Sequence, residues 1–438
     1  MQTETLFEHE QTEGFDWSDR EYAALERLNR AAGAEVLRAT LRSGRRELRA
    51  TQHVGVVRLG RRAVQVLPKI HRGGAEPGDP AARAQEATRN LLHMLAHAGR
   101  VPVREHALAQ LAEHGTDWFE ILTRLFASHL REEWQRGAYR RYQEAEDELP
   151  LLKGRWRVSE SLRRPARRHL FPVTYDEFTA DNALNRVFRF VVERLWRLTN
   201  DGSNRRLLGE LRGWMEEVRL PASVEARAAD PASLTRLSAR FEPLLNLARL
   251  FLEGGSLRLS AKDFTTFAFV FDMNQLFEEF VVGLIRRRRS EVLPGDLSVC
   301  DLLPQSYGAP HHLARDASGR DVFRLHPDLA FRRGAHFPLL LDAKYKRLDP
   351  ADRRLRISQA DFYQMHAYAR RYSCPRVVLL YPQTSDMTEP LRARFALEGG
   401  GHIEAATLDL RADLSTAAGR DALTNELREI LGDTHDSR

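Results

Sequence analysis

The stretch Arg324–Leu348, RLHPDLAFRRGAHFPLLLDAKYKRL, decides the fold of the C-terminal part of the chain. It holds two apolar runs around Gly334, a pattern that predicts two β-strands joined by a turn. A Pro-Asp pair lies in the first run, and Asp342 and Lys344 end the second. Successive side chains of a strand point to opposite faces, so Asp342 and Lys344 should project together.

The predicted hairpin brings a second carboxylate, Asp328, to the same corner. Two carboxylates a few Å apart repel each other and stay ionised only when a cation lies between them. Oxygen ligands suit Mg²⁺ or Mn²⁺, and a nearby lysine can stabilise developing negative charge. These groups are what phosphodiester hydrolysis requires. An exposed ion pair between Asp342 and Lys344 is the simpler alternative, and the spacing alone leaves it open.

Two flanking segments predict helices that carry further polar side chains. In FDMNQLFEEFVVGLIRRRR (residues 271–289), Glu278 falls at the rim of the apolar face, where it can reach the sheet corner. Glu279 falls almost opposite that face and should be solvated. In QADFYQMHAYARRY (residues 359–372), Gln364 and Tyr368 are four residues apart and share one side. A solvated Glu278, and simple helix packing for the other two, are the alternatives.

The remaining segments predict an α+β multidomain chain. Residues 1–75 are β-rich, with a helix at 17–33 that has a Ser-x-x-Glu capping box. Residues 76–255 are a mostly helical middle region, and residues 256–438 predict an α/β domain with a mixed sheet. A length of 438 residues suits two or three domains.

Composition narrows the classes of function only weakly. The net charge of +6 favours an anionic partner such as nucleic acid. The two cysteines, Cys300 and Cys374, have no metal-binding spacing and suit a reducing, cytoplasmic setting. The N-terminus has no apolar core typical of a signal peptide, and no apolar run approaches the roughly 20 residues that span a bilayer. We therefore expect a cytoplasmic protein without a membrane partner.

The ordered motifs resemble a known family. Glu, Pro-Asp, Asp-x-Lys and Gln-x-x-x-Tyr in this order are similar to PD-(D/E)xK nucleases, and the last element is typical of their RecB-like branch. The words FDMNQLFEEFV, HPDLAF, LLLDAKYK and ADFYQMHAYA resemble the McrC family, the nuclease subunit of 5-methylcytosine-dependent restriction systems. VGVVRLGRRAVQVLPKI, RGAYRRYQ, LKGRW and TYDEFTADNALNRVFRF extend the resemblance over roughly residues 50 to 385.

The resemblance implies a role for each site residue. The metal ligands would be Asp328, Asp342, Glu278 and the backbone carbonyl of Ala343. Lys344 would be the catalytic lysine, and Gln364 and Tyr368 would position the phosphate or brace the site. The family commonly has Arg-Pro-Asp, whereas His326 precedes the Pro-Asp pair here. That departure removes one fixed positive charge near the DNA and leaves the metal ligands unchanged.

Two arginine clusters are candidates for phosphate contacts, although a solvated face is the default for each. They are Arg163, Arg164, Arg167 and Arg168 in the middle region, and Arg286 and Arg287 after the Glu278 helix.

The resemblance implies a Mg²⁺-dependent DNA endonuclease subunit of a McrBC-like type IV restriction system. Its expected partners are DNA and a McrB-like AAA+ GTPase hexamer. Residues 1–75 would bind and stimulate that motor, and residues 256–438 would be the PD-(D/E)xK endonuclease domain. Two alternatives stay open: a nuclease that acts without a motor, and a non-catalytic subunit for assembly and GTPase stimulation.

Overall fold

The computed structural model describes residues 2–12, 17–42, 45–60, 62–71, 79–101, 117–163, 165–167, 169–231, 234–255, 266–308, 310–385 and 387–432. The chain divides into two compact units. One comprises Met1–Ile121 and Leu257–Arg438, and the other comprises Leu122–Ser256. The three domains expected from the sequence, with boundaries at residues 75 and 255, stay a prediction.

The helices and strands are numbered in chain order. The N-terminal elements are β1 Gln2–Phe7, α1 Asp19–Ala32, β2 Leu37–Arg42, β3 Arg45–Ala50, β4 His53–Leu59, β5 Arg62–Leu67, α2 Pro80–His97 and α3 Trp118–Gln135. The middle elements are β6 Arg141–Leu149, β7 Arg155–Trp156, α4 Val158–Arg163, β8 Phe171–Thr179, α5 Ala183–Leu198, α6 Gly202–Trp214 and α7 Glu242–Gly255. The C-terminal elements are β9 Thr266–Asp272, α8 Met273–Arg287, α9 Arg289–Val292, β10 Asp301–Pro304, β11 His312–Arg315, β12 Asp321–Arg324, β13 Leu329–Arg333, β14 His336–Ala343, α10 Gln359–Tyr372, β15 Arg376–Pro382, β16 Arg392–Ala396, β17 His402–Leu408 and α11 Ala417–Gly432.

The N-terminal strands form a four-stranded sheet in the order β1-β5-β4-β9. The last of these strands comes from the C-terminal part of the chain and pairs antiparallel with β4. Gly55 makes this pairing possible, because its φ is 131° and an added Cβ would overlap the carbonyl oxygen of Phe269. The sheet therefore joins the two segments of the chain, before and after the second unit, that make up the first unit.

The helix expected near residues 17–33 is confirmed, including both of its caps. Ser18 and Glu21 form the reciprocal capping box, and Gly33 closes the helix with a φ of 63°. These signals are local in sequence, and they set the bounds of α1.

The C-terminal strands form a six-stranded sheet in the order β10-β13-β14-β15-β17-β16. The pairs β14–β15 and β15–β17 are parallel and the others are antiparallel, so the expected mixed sheet is confirmed. Every residue of β15 is buried, which places the core along the centre of this sheet. The helices expected to flank the Asp-x-Lys strand are α8 and α10.

The expectation that the first apolar run, with its Pro-Asp pair, forms one strand over residues 323–331 was wrong. The chain forms β12 and β13 there, in two different sheets, with residues 325–328 between them. Pro327 explains the break, because proline has no N–H group to donate to a strand ladder. Asp328 consequently precedes β13 and does not end a strand.

The second unit contains an antiparallel three-stranded sheet in the order β6-β8-β7, together with α5, α6 and α7. These helices agree with the mostly helical middle region that the sequence predicts. Over the described residues, no helix combines the length and the apolar character that a membrane crossing demands.

Candidate active site

One end of the six-stranded sheet brings the two predicted aspartates together. Leu329 of β13 pairs with Leu341 of β14 in antiparallel register, so Asp328 and Asp342 lie at the same end of adjacent strands. The backbone N–H of Ala343 donates a 2.7 Å hydrogen bond to Oδ2 of Asp328. The hairpin geometry inferred from the sequence is therefore present, with this bond locking the Asp328 carboxyl in place.

Asp342 is buried without adequate hydrogen bonding. Its residue exposure is 1%, and Lys344 Nζ lies in ion-pair contact with its Oδ2. Apart from the ion pair with Lys344, neither oxygen of the carboxylate has a hydrogen-bond partner among the described residues. A buried carboxylate in this state is costly, and a bound cation would satisfy it.

The carboxyl groups of the site share an electrostatic environment that favours their neutral forms. Burial, followed by the charges of Asp342 and Glu278, raises the pKa of Asp328 to about 8. Burial also raises the pKa of Asp342, an effect that Lys344 partly offsets. Burial lowers the pKa of the Lys344 amine, but the Asp342 carboxylate outweighs it and the net shift is upward. The site thus gathers three carboxyl groups around one half-buried lysine.

Glu278 and Glu279 of α8 both line the cleft beside this site, but they differ in their electrostatic partners. Glu278 is half-buried, and burial raises its pKa while Lys344 lowers it. Glu279 forms a bidentate ion pair with Arg100, with N–O distances of 2.6 and 2.7 Å. The expectation that Glu279 is simply solvated was therefore wrong, because this side chain is half-buried and ion-paired. The role expected of Glu278 stays a prediction.

The polar pair on α10 lies as its spacing predicts. Gln364 Nε2 donates a 2.7 Å hydrogen bond to the hydroxyl of Tyr368. Tyr368 is 1% exposed, and burial followed by the Asp342 charge raises the pKa of its hydroxyl. The tyrosine therefore sits against the acidic site, and the glutamine orients its hydroxyl.

The arginine candidates separate into two groups. Arg286 and Arg287 are exposed at the end of α8 and line a cleft together with Glu278 and Asp328. Arg163 and Arg167 belong to the second unit, where both are exposed and Arg167 pairs with Glu148 at 2.9 Å. Arg164 and Arg168 lie outside the described residues.

A buried polar network behind the site was missed by the sequence analysis. The Tyr345 hydroxyl donates a 2.7 Å hydrogen bond to Glu8 Oε2, which also accepts from the backbone N–H of Lys69 at 2.8 Å. Lys69 Nζ lies 4.3 Å from the centre of the Tyr345 ring, and that ring packs against Phe277. Lys69 falls in the Leu-Pro-Lys-Ile words of the resemblance, but no signal in the sequence singles out Glu8.

The donor set of the site fits a hard divalent cation. Asp328 and Asp342 offer carboxylate oxygens, and the unsatisfied Asp342 oxygens are the groups that such a cation would bind. Among the described residues, however, no three His, Cys, Asp or Glu side chains form a ready metal cluster. Glu278 therefore lies near the aspartates without completing a ligand set with them.

Fold and site together define a multidomain protein of mixed α and β structure with a buried carboxylate–lysine cluster at one end of a mixed sheet. The family model described as "McrBC 5-methylcytosine restriction system component" matches residues 48–382. The chain belongs to this family.

The fold is also similar to solved structures. One match is to a chain of the refined half-complex from the tetradecameric assembly of Thermococcus gammatolerans McrB AAA+ hexamers with bound McrC. It has a TM-score of 0.71 and 24% identity, and it covers 98% of this chain and 100% of that chain. A chain of the cryo-EM structure of the Thermococcus gammatolerans McrBC complex matches with a TM-score of 0.48 and 26% identity, over 65% of this chain and 87% of that chain. No protein with a curated functional description matches.

Proposed function

We propose that this chain is the DNA-cleaving subunit of a modification-dependent restriction system. The observation that carries the proposal is the buried Asp342 carboxylate, which has unsatisfied oxygens beside Asp328 and Lys344. A structural ion pair would be hydrogen-bonded or exposed, whereas a cation-binding carboxylate must be kept free of other donors. Membership of the McrBC family supports DNA as the substrate.

The chemistry follows from the side chains that line the site. Asp328 and Asp342 would hold Mg²⁺ or Mn²⁺, supported by Glu278 and the carbonyl of Ala343. When bound, such a cation supplies charge neutralisation and makes water a stronger nucleophile. Lys344 is already held toward the same point and stabilises negative charge that develops on the phosphate.

Partner binding forms the second part of the proposal. The solved structure with the higher fold similarity contains McrB AAA+ hexamers with bound McrC. We infer that this chain likewise acts with a McrB-like AAA+ GTPase, which it stimulates. The alternatives are a nuclease that works without a motor and a non-catalytic assembly subunit.

A cleavage assay distinguishes these functions. The purified chain is incubated with 5-methylcytosine-containing and unmodified duplex DNA, in Mg²⁺, Mn²⁺ or chelator, with and without the partner GTPase and GTP. The proposal expects metal-dependent cleavage that requires the partner. Cleavage by the chain alone would favour the stand-alone nuclease.

The variant Asp342→Ala tests the site itself. It removes a buried, poorly satisfied carboxylate, so the chain should still fold, bind the partner and stimulate GTP hydrolysis while cleavage is lost. Thermal unfolding and GTPase stimulation serve as controls for folding. Full cleavage by this variant would refute the site assignment, and GTPase stimulation without any cleavage by the wild type would favour the non-catalytic subunit.

A further inference from the structure

A cleft of about 730 Å³ opens beside the carboxylates of the site. Its lining combines acidic, basic and aromatic side chains from four parts of the chain, among them Glu278, Asp328, Arg286, Arg287, Gln305 and Tyr307. Nothing in the proposed function uses the last two residues. They lie on a four-residue turn, 305–308, that follows β10.

This turn leaves the sheet at the same end as the aspartates. Pro304, the last residue of β10, pairs with Leu329 of β13 in antiparallel register. The backbone N–H of Gln305 donates a 3.1 Å hydrogen bond to the carbonyl of Asp328. The turn is therefore fixed directly to the residue that would bind the metal.

The turn has a strained backbone that its surroundings hold in place. Gln305 and Ser306 have φ values of 47° and 53°, two consecutive residues other than glycine in the left-handed region. The Ser306 hydroxyl is buried and lies 2.6 Å from the Tyr372 hydroxyl on α10, within hydrogen-bonding distance. Such strain persists only where neighbouring contacts enforce it. This backbone conformation places the next residue, Tyr307, at the surface, where 76% of the residue is exposed.

The surroundings of Tyr307 resemble those of a site for a single nucleic-acid strand. Arg286 and Arg287 are exposed in the same cleft, and neither has an ion-pair partner among the residues that the structure describes. Basic side chains that follow the backbone, together with an exposed aromatic ring, are the combination that holds unpaired bases.

We propose that Tyr307 stacks on a DNA base that is unpaired beside the acidic site, while Arg286 and Arg287 bind the adjoining phosphates. The cleft then receives one locally unpaired strand, and DNA with a weakened base pair at the cleavage point is the preferred substrate. This inference rests on the proposed nuclease function for the identity of its ligand.

Binding experiments test the stacking without depending on cleavage. The full chain is titrated, in chelator, into a single-stranded oligonucleotide that contains 2-aminopurine, whose fluorescence falls when it stacks. Tyr307→Ala should weaken binding about tenfold and abolish the quenching, the size of loss expected for one base–aromatic stack. Tyr307→Phe keeps the ring and should bind within about twofold of the wild type.

A matched control is Tyr363→Ala, since Tyr363 is a tyrosine on α10 that is 62% exposed and hydrogen-bonds to Gln359. It should bind DNA as the wild type does. Unchanged binding by Tyr307→Ala, or equal losses for Tyr307→Ala and Tyr307→Phe, would overturn the stacking proposal. Intact DNA binding by Tyr307→Ala with lost stimulation of the partner GTPase would also overturn it, because Tyr307 would then contact protein.

A cleavage comparison links the stack to the reaction. Tyr307→Ala should lose more activity on fully paired duplex than on duplex with a mismatch at the cleavage point, because the mismatch already supplies the unpaired base. An equal loss on both substrates would contradict this. If the wild type quenches 2-aminopurine through Tyr307 but cleaves nothing in Mg²⁺ or Mn²⁺ with the partner, the proposed function fails and the binding site stands.

Discussion

The variant Asp328→Asn should make the metal-free protein more stable while it removes metal binding. Burial and the neighbouring carboxylates raise the pKa of Asp328 from its ordinary value of 3.8 to about 8. At 1.36 kcal/mol for each pKa unit, keeping this carboxyl ionised at pH 8 costs on the order of 5 kcal/mol. Asparagine carries no charge and still has an oxygen to accept the N–H of Ala343.

The sign of the pH dependence follows from this raised pKa. The contribution of Asp328 to stability is fully present below pH 3.8 and is lost as the pH rises through about 8. Asp328→Asn should therefore match the wild type near pH 4 and exceed it by a few kcal/mol at pH 8. Urea denaturation in chelator across this range measures the difference in the free energy of unfolding.

Metal should narrow the difference in stability between the two proteins at pH 8. A cation at 100 times its dissociation constant adds about 2.7 kcal/mol to the wild type and nothing to a variant that cannot bind it. Mg²⁺ or Mn²⁺ should therefore narrow the gap by stabilising the wild type alone. Equal stabilisation of both proteins, or a metal-free variant no more stable than the wild type at pH 8, would refute the interpretation of these carboxylates as a cation site.

Asp361→Asn is a control of opposite sign. Burial raises the pKa of Asp361, but hydrogen bonds from Lys346 and Ser358 outweigh burial and the net shift is downward. Its contribution to stability is present above pH 3.8 and is lost as the pH falls through the lowered value. This variant should therefore be less stable than the wild type at pH 8, with or without metal.

Three further predictions concern other residues. Glu278→Gln should reduce cleavage far more than Glu279→Gln in the same assay, and equal losses would show that the two side chains do not differ in their access to the site. Burial raises the pKa of Glu8 to about 7, so its contribution to stability is present below pH 4.5 and is lost as the pH rises through 7. Glu8→Gln should accordingly gain stability relative to the wild type between pH 5 and pH 8 in urea denaturation, and a constant difference would contradict this. A Cβ on Gly283 would overlap the carbonyl oxygen of His97, so Gly283→Ala should destabilise the chain by about 2 kcal/mol, and an unchanged melting temperature would show that α2 and α8 separate freely.

The sequence predicted those features whose signals are local. The capping box of α1 and the apolar face of α8 are each set by residues three or four positions apart, and both were found. The proximity of Asp328 and Asp342 could be predicted because β13 and β14 are consecutive strands joined by a short turn. Hydrophobic periodicity and the residues that form turns are enough to predict contacts between residues that are close in sequence.

Contacts between distant segments could not be predicted from the sequence alone. Glu8 and Tyr345 are 337 residues apart, and Arg100 and Glu279 are 179 apart. No periodicity relates residues at such separations, because tertiary packing decides which segments meet. For the same reason, the pairing of β4 with β9 could not be predicted, because the whole second unit separates these two strands in the sequence.

The long-range pairings explain why Glu278 stands apart from the two aspartates. Asp328 and Asp342 come from neighbouring strands of the six-stranded sheet, whereas α8 continues directly from β9 of the N-terminal sheet. Glu278 therefore belongs to a helix that continues the N-terminal sheet, and its distance from the aspartates depends on how α8 packs on β14. The contact between Phe277 and Tyr345 holds that packing, since these residues directly adjoin Glu278 and Lys344. The site thus draws Asp328 and Asp342 from one sheet and Glu278 from the helix that continues the other sheet, which is why no pattern within one stretch of sequence sets their mutual distance.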